Sequence, residues 1–432
     1  VFEQSFTNSG TATLSNSSVI KGSLTNASQS TFNLTGSSQI MGNVNNAGTT
    51  NMTTNSEVLG NFTNSTVLNM DSATIKGAVS NTGVMDVQNG STVNSLENKS
   101  GTATFTDSTI SNAAVNGAGG TLIANGGTIG SATNSGIMTL AKNNTVLNTV
   151  TNNSGSLTLD GNTINGQFLA SGGTFTVTAN GTTIGTLNGS ANGTLNGLLD
   201  LTAADNTYSG ILSGSGGVLI NTTGTQLFTG NNTYTGTTQI NSGTLAVNGD
   251  QSSATGDTVV NATANLSGTG TLGGNTTIEQ GGTLTPGDIT SRVGTLNIAQ
   301  NLTLASGSTQ NFYLGQTNVS GGAYNSLVAV AGNLQLGGTL DITPNTAGPN
   351  VHNNALDVGL YRLYTYGGTL SGVADQTMCA TIVAPGATVS LQTSIANPVN
   401  LIVNTGHLTF CDGGNKSNQN NKTDDGGSGT WT

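Results

Sequence analysis

An asparagine returns along the first part of this chain with a step too regular for an ordinary globule. Asn8, Asn26, Asn46, Asn64, Asn81, Asn98, Asn116, Asn134 and Asn152 follow one another at intervals of 17 to 20 residues. Three apolar columns keep the same step. The first reads Leu14, Leu34, Met52, Met70, Val87, Phe105, Ile123, Leu140, Leu159 and Val177. The second reads Ile20, Ile40, Val58, Ile75, Val93, Ile110, Ile129, Val146, Ile164 and Ile184. The third reads Leu24, Val44, Phe62, Val79, Leu96 and Val115, weakens at Ala132, and resumes at Val150, Phe168 and Leu187. A short fixed period marks a repeat architecture, whose units bury a core only by stacking.

Local texture selects the secondary structure. "TATL", "FNL", "SLTL" and "TFTV" alternate polar and apolar residues, which is a strand pattern. Asn-Gly, Ser-Gly and Gly-Gly pairs punctuate them as turns. The density of Gly, Thr, Ser and Asn disfavours helix. Each coil of about 18 residues is therefore expected to hold three short strands, stacked about 4.8 Å from the next coil. That is a parallel β-helix. The uneven spacing of its inward columns suits the right-handed form. One coil buries too little to offset the entropy of ordering it, so stability resides between neighbours. Identical amides one coil apart can hydrogen-bond along the axis. A satisfied buried amide adds about 1 kcal/mol and an orphaned one costs more. The asparagines are read as a structural ladder.

Composition agrees. Hydrophobic residues are 34% and charged residues 6% of the 432, with 64 Gly, against roughly half and a quarter in average globular chains. Disordered chains combine low hydrophobicity with many charges and prolines; here there are only 5 Pro. The net charge is −11, and none of the 8 basic residues lies between Lys142 and Arg292. Nucleic acid, which needs clustered cations, is not an expected partner. An electrostatic membrane patch is disfavoured for the same reason. No apolar run of about 18 residues spans a bilayer, and no signal peptide opens the chain, so an exported form would be processed or trimmed.

Four segments are expected. Residues 1–190 form the Asn-rich regular coils. Residues 191–280 continue the helix with a looser period. Residues 281–411 hold the last coils and a capping segment, with aromatics gathered in "LYRLYTYGGTL". A cap is required because the last coil of a solenoid is an open strand edge. Residues 412–432 read as a flexible linker.

Several stretches resemble a known family. "ADNTYSGILSGSGGVL" (204–219) and "TGNNTYTGTTQINSGTLAV" (229–247) look like the passenger-associated repeat of bacterial autotransporters. "GGTLTPGDITSRVGTLNIAQNLTLASGS" (281–308) and "AYNSLVAVAGNLQLGGTLDI" (323–342) resemble their C-terminal passenger segments. "GLYRLYTYGGTLSG" and "LTFCDGG" look like the AIDA-type branch, with Cys411 standing where relatives commonly carry Trp. The likeness covers about residues 204–432; the Asn-rich half matches in style. It implies a right-handed β-helical passenger, carried to the bacterial surface by its own C-terminal β-barrel, which is absent here, and then anchored or secreted. It also implies that about 281–411 is an autochaperone region that folds first.

Catalytic motifs are missing. No GDSG-type nucleophile occurs, and His352 and His407 are the only histidines. A polysaccharide-processing β-helix, the alternative reading, needs a base beside clustered carboxylates, and Arg292 and Arg362 lie far along the chain from the aspartates of residues 71–160. An ice-binding array is suggested by Thr11/Thr13, Thr102/Thr104 and Thr174/Thr176, but these pairs are scattered among coils. No cofactor or metal is expected. What remains is a surface. Asp71, Asp107, Lys142 and Asp160 fall in the turn after the first column, and Asp86 points out of the neighbouring strand. They form a candidate flank for host glycans, extracellular-matrix proteins or another copy of the chain.

Cys379 and Cys411 either form a disulfide or remain two free thiols. A bridge requires Cα atoms about 4.4–6.8 Å apart and an oxidising compartment. Thiol labelling of the native, unreduced protein separates the two outcomes: protection at both positions is the bridged result.

Overall fold

Each apolar column needs a neighbour above and below, and in the computed structural model it has one. The structure describes residues 1–203, 205–374 and 382–405; Cys379 and Cys411 lie outside them. The described chain winds as an all-β parallel solenoid of about 15 turns. An early coil consists of Thr11–Leu14, Val19–Ile20 and Leu24–Asn26. Each strand pairs in parallel with its equivalent one coil on: Thr31–Leu34, Gln39–Ile40 and Val44–Asn46. Further along, the three strands of a coil merge, as in Thr102–Asn116 and Thr121–Asn134.

The columns stack in register. Leu14, Leu34, Met52, Met70, Val87 and Phe105 follow one another and are at most 5% exposed. The second column runs unbroken and buried from Ile20 to Ile184. Two expected members do not face inward. Phe105 pairs with Ala124, which in turn pairs with Leu140, so Ala124 and not Ile123 fills the first column. Leu122 is inward, aligned with Ala103 and Met138, and the two-residue pleat then turns Ile123 out. Likewise Ala114, aligned with Leu96, occupies the third column, and Val115 is 39% exposed. A register shift between Ile110 and Ala113 moves the inward set by one residue there.

Corners are held by backbone geometry. The turn after the first column repeats a left-handed conformation at Asn16, Ser17, Ser37, Thr54, Asn55, Ser72, Asn89, Asp107, Lys142 and Asn143. Asn and Asp tolerate that region better than most residues. At the next corner the coils approach so closely that a Cβ on Gly60 would sit 2.4 Å from Gly42 O, which only glycine avoids.

The asparagines form the ladder. From Asn8 to Asn134, each Nδ2 donates to Oδ1 of the Asn one coil on, at 2.7–2.9 Å over eight links. The second amide proton goes to a backbone carbonyl of the following coil, as from Asn26 to Thr49 at 2.9 Å and from Asn46 to Val67 at 2.7 Å. All nine are buried. Asn152 ends the run by donating to the carbonyls of Gly172 and Thr174.

Beyond Asn152 the same position changes character. It is Ala170, then Gly189, then Tyr208, Phe228 and Val247. An edge-to-face series of Phe168, Phe175, Tyr208 and Phe228 fills the interior where the amides stop, with centroids 4.9–6.4 Å apart. At the C-terminal end, Gly359–Tyr366 pairs in parallel with Ser326–Val330 and antiparallel with Pro398–Asn404. Thr388–Gln392 pairs antiparallel with the latter. This hairpin covers the last parallel edge, over a core that includes Phe312 against Tyr364 at 5.1 Å.

Replacing Asn81 by Ala strips the donor from Asn98 Oδ1 and the acceptor from one proton of Asn64. The expected loss is about 2–4 kcal/mol, from two unsatisfied buried groups. Asn8→Ala removes the first rung, whose Oδ1 has no donor from a preceding Asn, and costs less. Urea unfolding of both variants checks this; equal losses would mean that the ladder does not act through its links.

Candidate binding flank

The five flank residues lie on five of six consecutive coils, along one edge of the first sheet. Asp71 is the last residue of Val67–Asp71, pairing with Gln88, and Asp160 is the last of Ser156–Asp160, pairing with Ala141. Asp107 and Lys142 stand one position later, in the left-handed turn, with φ of 49° and 54°. The coil between them carries Gly126 and Gly127 there, a gap in the row. With five coil spacings from Asp71 to Asp160, the edge is about 24 Å long.

The residues are not equivalent. Asp86 lies two positions earlier, half-buried on the flat outer face, between Asn69 and Thr104 and hydrogen-bonded by Gln88 at 2.5 Å. It continues an exterior amide series in which Asn51 donates to Asn33 and Asn69 to Asn51, each at 2.8 Å. Asp71 accepts from Asn89 and Ser72, each at 3.0 Å. Asp160 accepts from the Thr178 hydroxyl and, at 2.7 Å, from Asn180. Asp71 and Asp160 therefore tie adjacent coils together. Asp107 and Lys142 are exposed and make no side-chain bond to the described residues.

Sequence reading missed an exterior threonine column. Thr74, Thr92, Thr109, Thr128, Thr145, Thr163 and Thr183 stack as one unbroken column, each just before a second-column aliphatic. The recurrent Thr-Ile and Thr-Val pairs were its visible signal. The column is one Thr wide, and the neighbouring outward positions are mixed: Lys76, Asn94, Ser111, Gly130 and Leu147. It continues into Asp200, whose carboxyl is pushed up by burial and whose Oδ1 has no hydrogen-bond partner among the described residues.

Two small concave spaces lie toward the C-terminal end. One cavity of about 360 Å³ is lined by Thr271, Asn297, Ile298, Ala299 and the strand end at Ala329, Val330 and Ala331, with no titratable side chain. Another, of about 300 Å³, includes Arg362. Among the described residues no three of His, Cys, Asp and Glu gather as a metal site.

The hydroxyl of Thr178, then the amide of Asn180, hold the Asp160 carboxyl below its ordinary value of 3.8. A depressed folded-state pKa gives stability that is present above the unfolded value and lost as pH falls through the folded one. Asp160→Asn should therefore lower the melting temperature slightly at neutral pH, and the difference from wild type should vanish in acid below 3.8. A gap that persists there would assign the effect to packing.

No protein-family model matches the chain. Among curated proteins it is similar to the adhesin BmaC autotransporter of Brucella suis biovar 1 (strain 1330), 40% identical over 229 residues. The match covers 53% of this chain and 6% of that much longer relative. In sequence, over that stretch, the chain is similar to a protein named an autotransporter adhesin, and the parallel β-solenoid is the architecture expected from the resemblance.

Proposed function

We propose that the chain is a non-enzymatic adhesin passenger, held at a bacterial surface by its own β-barrel or released from it, that binds through many weak polar contacts spread along the rod. The likeness to a protein named an adhesin carries this reading. The form of the flank supports it: charged side chains stand on five of six consecutive coils, so an extended partner meets polar contacts on successive coils. Host glycans, extracellular-matrix proteins and a second copy of the chain are the partner classes of that shape. An exposed polar contact is worth about a kcal/mol or less. Useful affinity then comes from repetition along one rod and from many rods on one cell.

The test is a binding screen of the purified chain against glycans, matrix proteins and itself, followed by substitution. Asp71→Asn, Asp86→Asn, Asp107→Asn, Lys142→Gln and Asp160→Asn remove charge while keeping hydrogen-bonding groups where the coils use them. Each alone should weaken adhesion only modestly. All five together should abolish it, with an unchanged circular dichroism spectrum, and displayed passengers should adhere far better than soluble monomers. A folded fivefold variant adhering at full strength would place the ligand on another face. One substitution that removed all binding would point to a discrete pocket and to the carbohydrate-processing alternative.

A further inference from the structure

The described cations differ in how their charge is met. Lys21, Lys76 and Lys99 pair with Glu3, Glu57 and Glu97. Lys142 is solvated, and Arg292 lies over the Tyr313 ring at 5.3 Å. Arg362 has neither arrangement. It sits half-buried on Gly359–Tyr366 with no carboxylate among the described residues within ion-pairing distance. Its Nε donates to Asn400 Oδ1 at 3.1 Å, and Asn400 Nδ2 donates to Gln392 Oε1 at 2.8 Å. Asn400 is 1% exposed, so this relay fixes the guanidinium plane from beneath. The two terminal nitrogens donate to no described residue. A partly buried charge is ordinarily paired, and this one, in a chain of net charge −11, has no acid beside it among the described residues.

The same residue lines the cavity of about 300 Å³, with Asn318, Val319, Ser320 and Leu360. The Asn318 amide and the Ser320 hydroxyl also have no side-chain partner among the described residues. A guanidinium with its Nη groups free offers the fork that matches a carboxylate. An amide and a hydroxyl beside it suit sugar hydroxyls, and Val319 and Leu360 suit the apolar face of a ring. The volume lies at the small end of ligand sites, enough for one monosaccharide. We propose that this cavity is an anion site that takes the carboxylate of an acidic monosaccharide, a uronate or sialate, at Arg362. The inference is independent of the aspartate flank, which lies on other coils.

Titration of the full chain with sodium galacturonate and with galactose, by calorimetry, tests it. Galacturonate should bind with a dissociation constant on the order of 1–10 mM, the range of a single small contact set. Affinity should fall with added salt, acetate should compete, and galactose should bind far more weakly. Arg362→Gln should lose binding at least about tenfold, because the charge-assisted fork is gone. Arg362→Lys keeps the charge but not the fork and should lose several-fold. Asn400→Ala, which frees the guanidinium plane, should fall between wild type and Arg362→Gln. Thermal melting verifies that each variant is folded; if Arg362→Gln is not, Arg362→Lys decides. Equal binding of galacturonate and galactose, affinity unmoved by Arg362→Lys, or no galacturonate heat at about 20 mM would each overturn the proposal.

Discussion

The hydrogen bond between one asparagine amide and the next sets the terms for the N-terminal half. A buried primary amide has two protons and a carbonyl to satisfy, and no side chain of its own coil supplies all three. A neighbour at coil spacing supplies the missing ones. Asn26 takes a proton from Asn8, gives one to Asn46, and gives the other to the Thr49 carbonyl. Substituting an aliphatic residue at one rung would disturb three coils. This is why the polar column tolerates less variation than the apolar ones, where Leu, Met, Val and Phe alternate along a single stack. A core this thin has little apolar area per coil, and the amides add direction that aliphatic contacts lack.

Much of the solenoid was legible, because its inward positions follow one step. The errors share a cause. At Ile123 and Val115, larger aliphatics sit beside smaller residues, and periodicity read by hydrophobicity selects the larger one. The structure selects Ala124 and Ala114, because pleat and pairing with Leu140 and Leu96 decide which side faces in. The cysteine question falls outside the described residues. The flank was legible as outward-facing, but not its division of labour. That Asp71 and Asp160 fasten coils while Asp107 and Lys142 point free depends on residues one coil later, Asn89, Thr178 and Asn180, which linear spacing does not single out.

The interior changes its chemistry beyond Asn152. Tyr208 and Phe228 stand where a continued ladder would place amides. Aromatic rings fill a wider section by dispersion and edge-to-face contact, which relaxes the demand for an identical residue in each coil. The looser period past residue 190 follows from that change. The rod thus joins a stretch governed by exact repetition to one governed by volume, and it closes on an antiparallel hairpin.

The ladder also has a sense. Every link from Asn8 to Asn134 donates toward the C-terminus, and the final amide rests on backbone carbonyls that need no further asparagine. A coil laid on the N-terminal side of a formed stack arrives with its two protons facing an Oδ1 and a carbonyl already in place. A coil laid on the C-terminal side arrives with its Oδ1 met but without the two acceptors of a following coil, although at several rungs, as from Asn98 to Gly101, the amide already reaches a carbonyl of its own coil. Accretion on the N-terminal side leaves one acceptor Oδ1 waiting at each step, and accretion on the C-terminal side leaves the donors that cross between coils waiting instead. The ladder therefore has two unlike ends, an acceptor end at Asn8 and a donor end at Asn152 that is already closed on backbone carbonyls.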